Sequence, residues 1–132
     1  MKLLLDNNLS PRIAYCLQAL FIDDHKIVAL REKFPENTTD VDWISALDQE
    51  GGWAVVTQDL HIRTRPHERE ALDKSNLIYF FLSGAWRKYT VAETAVRLIR
   101  LIPKIEAQTE LAASGRFELP INAGSKLRPH RY

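Results

Sequence analysis

The sequence predicts an α/β fold, namely a three-layer α/β/α domain with a mainly parallel sheet of four or five strands. Short apolar segments alternate along the chain with amphipathic helical patterns, as expected when helices connect parallel strands. Residues 76–82 are almost entirely apolar, which is typical of a strand covered on both faces. The length of 132 residues, with 45% apolar and 27% charged side chains, suits one globular domain.

The first half of the chain predicts three strands and two helices. Ser10 followed by Pro11 is typical of a helix N-cap and first turn, and Gly51 with Gly52 ends the second helix. In order, the elements are a strand at 2–6, a helix from Ser10 to about Asp23, a strand at 25–30, a loop at 31–38, a helix from Thr39 or Asp40 to about Glu50, and a strand at 53–57.

The second half predicts two helices and one buried strand. Pro66 opens a short helix to about Asp73, and Thr90 with Glu93 forms a capping-box pattern before the longest helix, which Pro103 should kink. A short strand is expected at 116–119. We expect the domain to span residues 1–112 and residues 113–132 to form a basic, flexible tail.

Composition excludes several classes of protein. Cys16 is the only cysteine, so neither an internal disulfide nor a cysteine-based zinc site can form. No apolar run approaches the roughly 20 residues needed to cross a bilayer, so no membrane segment is expected. The net charge of +1 argues against passive adhesion to polyanions. A reducing, cytoplasmic location fits these features best.

Three acidic side chains are predicted to meet at one edge of the sheet. Asp6 and Asp59 end two of the strands, and Asp40 begins the helix before the third strand. Asp40 shares a helix face with apolar residues, whereas Asp42 lies nearly opposite and is the second choice. Ligands of open parallel sheets bind beyond the carboxyl ends of the strands, so this edge is the expected site.

Three converging carboxylates repel one another, and a divalent cation would relieve that repulsion. Oxygen ligands without cysteine suit Mg²⁺ or Mn²⁺. Asn8, just after the first strand, could add an amide contact to a ligand or a water. The alternative is that Asp40 is an N-cap and Asp59 a turn residue, with no metal bound.

Three segments resemble the PIN-like domains, particularly the branch that contains VapC-type toxins. They are residues 1–12 (MKLLLDNNLSPR), residues 39–44 (TDVDWI), and residues 55–59 (VVTQD) with Ile62, Arg63 and Glu68 following. The likeness runs to about residue 105. It implies an endoribonuclease dependent on Mg²⁺ or Mn²⁺ that hydrolyses RNA phosphodiesters with a metal-activated water, often as the toxin of a toxin–antitoxin pair.

The resemblance also assigns residues. The family's first three acids fall on Asp6, Asp40 and Asp59, which would be both the catalytic residues and the metal ligands. The best position for a fourth acid is Glu68, with a structural ion pair to Arg63 as the alternative. Arg63 and Arg65 could hold a substrate phosphate by bidentate contact.

Two other protein classes fit the sequence less well. A haloacid-dehalogenase-type phosphatase needs a second aspartate where this chain has Asn8. A phosphoacceptor receiver domain needs an acidic neighbour for Asp6, a lysine after a fifth strand, and five strands that alternate with helices, whereas four alternate with helices here. A PIN-like module that binds RNA or protein without catalysis stays open. The apolar stripe of the last helix could carry a homodimer or an antitoxin segment.

Overall fold

A computed structural model describes residues 1–58 and 65–130 of the chain. The strands are β1 (Lys2–Leu5), β2 (Lys26–Ala29), β3 (Trp53–Thr57), β4 (Ile78–Leu82), β5 (Gly115–Leu119) and β6 (Arg128–Pro129). The helices are α1 (Pro11–Phe21), α2 (Leu30–Lys33), α3 (Asp40–Glu50), α4 (Pro66–Lys74) and α5 (Val91–Leu111), with a 3₁₀ helix at Gly84–Lys88.

The six strands form one sheet in the order β2-β1-β3-β4-β5-β6. The first five are parallel and β6 is antiparallel to β5, which confirms the predicted fold class with one strand more than expected. Both β5 and β6 lie within residues 113–132. Strand β5 is held against β4 by side-chain packing, because the Phe117 ring lies 6.0 Å from the Phe80 ring of β4.

Alternation along β1 separates the core into two apolar layers. Leu3 and Leu5 point into the layer beneath α1 and α5, whereas Leu4 points into the layer beneath α3 and α4. All three leucines are almost completely buried. The sheet is therefore covered on both faces, as the apolar strands predict.

The predicted helix caps are present. Ser10 Oγ accepts from the Arg12 N–H at 3.3 Å, Thr39 Oγ1 from the Asp42 N–H at 3.1 Å, and Thr90 Oγ1 from the Glu93 N–H at 3.1 Å. Gly51 ends α3 with a φ of 78°, which a side chain would disfavour. These caps fix where α3 begins, and hence where Asp40 stands.

One predicted loop contains a helical turn, and one short helix was not predicted. Residues 30–33 form the single turn α2 instead of a loop, because Glu32 Oε1 accepts from the Ala29 N–H at 3.2 Å and stabilises the start of that turn. The chain after β4 forms a 3₁₀ helix, which buries Trp86. Helix α5 runs as one element through Pro103. None of the helices among the described residues combines the length and the hydropathy needed to cross a bilayer.

Candidate functional site

Asp6 lies at the carboxyl end of β1, next to the end of β3. Its N–H donates to the Val56 carbonyl at 2.9 Å, which continues the pairing of the two strands. Its carboxylate accepts two short hydrogen bonds: Oδ1 from the Asn7 N–H at 2.7 Å, and Oδ2 from the Thr57 hydroxyl at 2.8 Å. The carboxylate is thus held in one orientation at the predicted edge.

Asn8 and Thr57 fix the direction of this hydrogen-bond chain. Asn8 Nδ2 donates to Thr57 Oγ1 at 3.2 Å, so the single hydroxyl proton of Thr57 is left to point at Asp6. Asn8 Oδ1 accepts from the Gln58 N–H at 3.1 Å. Asn8 therefore ties the turn after β1 to the end of β3, a positioning task that the sequence did not indicate.

Asp40, the first residue of α3, is partly buried, whereas Asp42 is exposed. This is the arrangement that the helix periodicity predicts. Asp40 Oδ1 accepts a 2.9 Å hydrogen bond from Nε1 of Trp43, a side chain that is 2% exposed. The buried indole holds the carboxylate at the start of the helix, where the helix dipole also favours a negative charge.

Arg65 and Glu68 join Asp40 from the start of α4. Arg65 Nε lies 2.5 Å from Glu68 Oε2, and Arg65 Nη1 lies 3.7 Å from Asp40 Oδ2. The negative charge of Asp40 also acts on Glu68. Arg65 was predicted to hold a substrate phosphate. In the structure its guanidinium balances the negative charges of Asp40 and Glu68. Arg63, the other partner considered for Glu68, lies outside the described residues.

Burial and mutual repulsion raise the pKa of two of these acids. Removal from water raises the pKa of Asp6, and the charge of Asp40 adds to the effect, while the Thr57 and Asn7 hydrogen bonds oppose it. Burial also raises the pKa of Glu68, as does Asp40, and the charge of Arg65 opposes it. Carboxyl groups crowded in this way are common at functional sites.

Asp59, the third predicted ligand, also lies outside the described residues. It directly follows Gln58, whose N–H is held by Asn8 at the same edge of the sheet. Within residues 1–58 and 65–130, no three acidic, histidine or cysteine side chains are grouped closely enough to ligate one metal ion. The structure therefore brings Asp6, Asp40 and Glu68 to one edge but does not by itself complete a coordination sphere.

The donors at this edge fit Mg²⁺ or Mn²⁺ in kind. Asp6 and Asp40 offer carboxylate oxygens, the ligands that these ions prefer. Burial disfavours the charged form of Asp6 and raises its pKa, and a dication bound there would offset that cost. The fit rests on this chemistry and on the position of both acids beyond the strand ends.

Sequence reasoning missed Thr57 and the role of Arg65 in balancing charge. A signal for Thr57 is present, since it is the only polar residue of an otherwise apolar strand and stands at its last position. At 1% exposure it is buried, and a buried hydroxyl needs a partner. No comparable signal marks Arg65, because its pairing depends on how α4 lies against α3.

The structure also revises one argument about a competing fold. Five parallel strands in the order β2-β1-β3-β4-β5 match the order of receiver domains, so strand number no longer excludes that class. The chemistry still does. Asn7 rather than an acid follows Asp6, and Pro120 rather than lysine follows β5.

Comparison with known proteins agrees with the geometry. A family model described as a PIN-like domain matches residues 1–84, which include β1 to β4 and all the acids of the candidate site. No curated protein and no solved structure shows significant similarity to the chain.

Proposed function

Because the chain belongs to the PIN-like domain family, whose members are typically nuclease-related, we propose that it is an endoribonuclease dependent on Mg²⁺ or Mn²⁺. One observation carries the proposal: at the carboxyl edge of the parallel sheet, the charge of Asp40 acts on both Asp6 and Glu68, and Arg65 lies 3.7 Å from Asp40 and pairs with Glu68. This edge is where the architecture places ligands.

Asp6, Asp40 and Asp59 would hold the cation. Such an ion supplies Lewis acidity toward a water nucleophile and toward the oxygens of a phosphodiester. The assignment of Asp59 rests on the family resemblance and on its place one residue beyond Gln58. Glu68 would act from beside Asp40, as a fourth acid.

The chain's own residues hold the two acids in fixed orientations. Thr57 and the Asn7 N–H hydrogen-bond the charged form of Asp6, which offsets part of the cost of its burial. Trp43 performs the same positioning for Asp40 through its indole N–H. Fixed carboxylates need little reorganisation when substrate arrives, which is the advantage of a preorganised site.

Arg65 would contact the RNA backbone. Its planar guanidinium already lies between Asp40 and Glu68, so it can form bidentate hydrogen bonds to a phosphate beside them. Arg63 would add a second contact from the same segment. Both contacts read the sugar-phosphate backbone rather than the base, so they predict little sequence preference of their own.

The test is cleavage of a labelled single-stranded RNA with Mn²⁺, compared among the native chain, Asp6→Asn and Asp40→Asn. We expect cleavage to need the ion and to fall by about a thousandfold in either variant, as for loss of a principal catalytic group. RNA binding should persist, because one negative charge has been removed. Asp42→Asn is the control: it should cleave the RNA at the native rate, because Asp42 is exposed. Unchanged cleavage in Asp6→Asn would exclude the mechanism.

We further propose that the activity serves as the toxin of a toxin–antitoxin pair, which rests on the resemblance to the VapC-type branch. Induced expression in a bacterial host should then arrest growth, and Asp6→Asn should restore it. Arrest that persists with Asp6→Asn would contradict a catalytic toxin.

A second candidate is a non-catalytic PIN-like module that binds RNA or protein. The observation that favours it is Arg65, whose positive charge already offsets Asp40 and Glu68 without a metal. In that case RNA binding would be equal with Mn²⁺ and with a chelator, and no cleavage would occur under either condition.

A further inference from the structure

Helix α1 exposes an unusually apolar face. Its eleven residues carry one charge, on Arg12, and the face away from the core includes Tyr15 at 49% exposure and Leu20 at 58%. Cys16 and Ala19 are also exposed and lie between these two. An uncharged exposed helix face of this kind is typical of an interaction surface.

The last helix does not offer a comparable surface. The apolar stripe of α5, considered above as a docking face, packs into the core through Leu98, Ile102 and Ile105. Among the described residues of α5, the large exposed apolar side chains are Val96 and Leu111, fifteen positions apart. The candidate surface is therefore on α1.

Charges at the two ends of α1 indicate what covers this face. Arg12 is the second residue of α1, and Asp23 stands two residues after its last residue, Phe21; both are exposed. Because the C-cap Ile22 keeps the αR conformation, the 3.6-residue period extended to Asp23 places both residues on the same side. Among the residues that the structure describes, neither side chain makes an ion pair. A helix face with a positive end, an apolar middle and a negative end is complementary to itself when turned end for end.

We propose that a second copy of this chain docks on α1 through a two-fold axis, with the two α1 helices antiparallel. In the register that centres the axis on the exposed face, Arg12 of each copy faces Asp23 of the other. Tyr15 then faces Leu20, and Cys16 faces Ala19. Such an isologous contact closes as a dimer and cannot propagate.

The exposed face of α1 is short. Arg12 and Asp23 are about 16 Å apart along the helix axis, so the contact is smaller than the roughly 800 Å² per partner of a standard interface. We therefore expect a dimer that dissociates on dilution. The contact uses none of the acids of the candidate site.

Sedimentation equilibrium at several protein concentrations tests the proposal. We expect the native chain to dimerise, and Leu20→Glu to weaken the association at least about tenfold by placing a charge in the apolar middle. Leu111→Glu is the matched control, because Leu111 is 82% exposed at the end of α5, and should leave association unchanged. Circular dichroism verifies that both variants fold.

A charge exchange tests the register. Arg12→Asp adds an acid to the first turn of α1 and Asp23→Arg adds a base after its last turn, so each change should favour the helix itself. Each single variant should nevertheless weaken the dimer several-fold, because like charges then face each other. The double variant should regain nearly native affinity. Additive weakening in the double variant would refute the antiparallel register.

Cross-linking gives a third readout. Opposed residues of packed helices lie within disulfide reach, so oxidation of Ala19→Cys should link Cys16 of one copy to the new cysteine of the other. The same variant with Cys16→Ser should not cross-link. A native chain that stays monomeric up to several hundred micromolar, or a dimer that Leu20→Glu leaves intact, would overturn the proposal and assign the face to a different protein.

Discussion

The Thr57 hydroxyl donates a 2.8 Å hydrogen bond to Asp6 Oδ2, joining the ends of two neighbouring strands, β3 and β1. The bond stabilises the charged form of Asp6 and lowers its pKa against the effect of burial. Asp6 is thus ionised more readily than its surroundings alone would allow. Since the proposed chemistry needs a charged Asp6, this contact links the fold to activity.

Replacing Thr57 by valine removes that hydrogen bond at nearly constant volume. The pKa of Asp6 should rise further, so the acidic limb of the pH–rate profile for RNA cleavage should move to higher pH. We also expect a loss of about 1–2 kcal/mol in the free energy of unfolding, because Asn8 Nδ2 loses its acceptor. Thr57→Ser, which keeps the hydroxyl, should retain the native profile. An unmoved limb in the valine variant would contradict this role.

Replacing Asp6 by asparagine should abolish cleavage and change how stability depends on pH. The folded-state pKa of Asp6 is raised, so its contribution to stability is lost as pH rises from the usual aspartate range through the folded pKa. Asparagine carries no charge, so the stability of the variant relative to the native chain should rise with pH across that range. Asparagine keeps only one of the two carboxylate oxygens, each of which accepts a hydrogen bond, so this pH dependence is the readout rather than the stability at one pH. Thermal unfolding measured across pH checks this, and a stability difference that does not change with pH would contradict it.

Replacing Arg65 by alanine should separate metal binding from substrate binding. Loss of the guanidinium removes a positive charge that competes with a cation for Asp40, so Mn²⁺ should bind several-fold more tightly by calorimetry. The KM for RNA should rise at the same time, because a phosphate contact is lost. Arg69→Ala is the control from the same helix, since Arg69 pairs with Asp73 instead. Weaker Mn²⁺ binding in Arg65→Ala would contradict the competition.

Replacing Trp43 by phenylalanine tests the support of Asp40. The ring volume is largely kept, but Asp40 Oδ1 loses its indole donor, so kcat for RNA cleavage should fall by about tenfold. Trp53→Phe is the matched control. Trp53 is equally buried but is the first residue of β3, so it lies at the amino-terminal end of the strands, away from the candidate site. The two variants should unfold at similar temperatures. Equal loss of activity in both would indicate a general packing effect.

The sequence was sufficient for the elements whose signals are local. The Ser10-Pro11 cap, the stop at Gly51 and the apolar β4 each specify an element without help from distant residues. The inward position of Asp40 followed from helix periodicity alone. The sequence was less informative about β5 and β6, since Gly115 and Pro120 resemble loop residues until the pairing with β4 is known.

Site features that depend on tertiary contacts could not be predicted. The pairing of Arg65 with Asp40 joins the starts of α4 and α3, and nothing in the spacing of these residues encodes that approach. Similarly, Asn8 reaches Gln58 across the ends of two strands that are far apart in sequence. Such contacts result from how the elements pack, and only coordinates show them.

The most direct test of the central claim is a Mn²⁺ titration in which the free ion is followed by electron paramagnetic resonance. The account predicts saturable binding by the native chain, with affinity reduced at least about tenfold in each of Asp6→Asn, Asp40→Asn and Asp59→Asn. Affinity in Asp42→Asn should stay close to native. Native-like affinity in Asp6→Asn or Asp40→Asn would show that these carboxylates do not hold the ion.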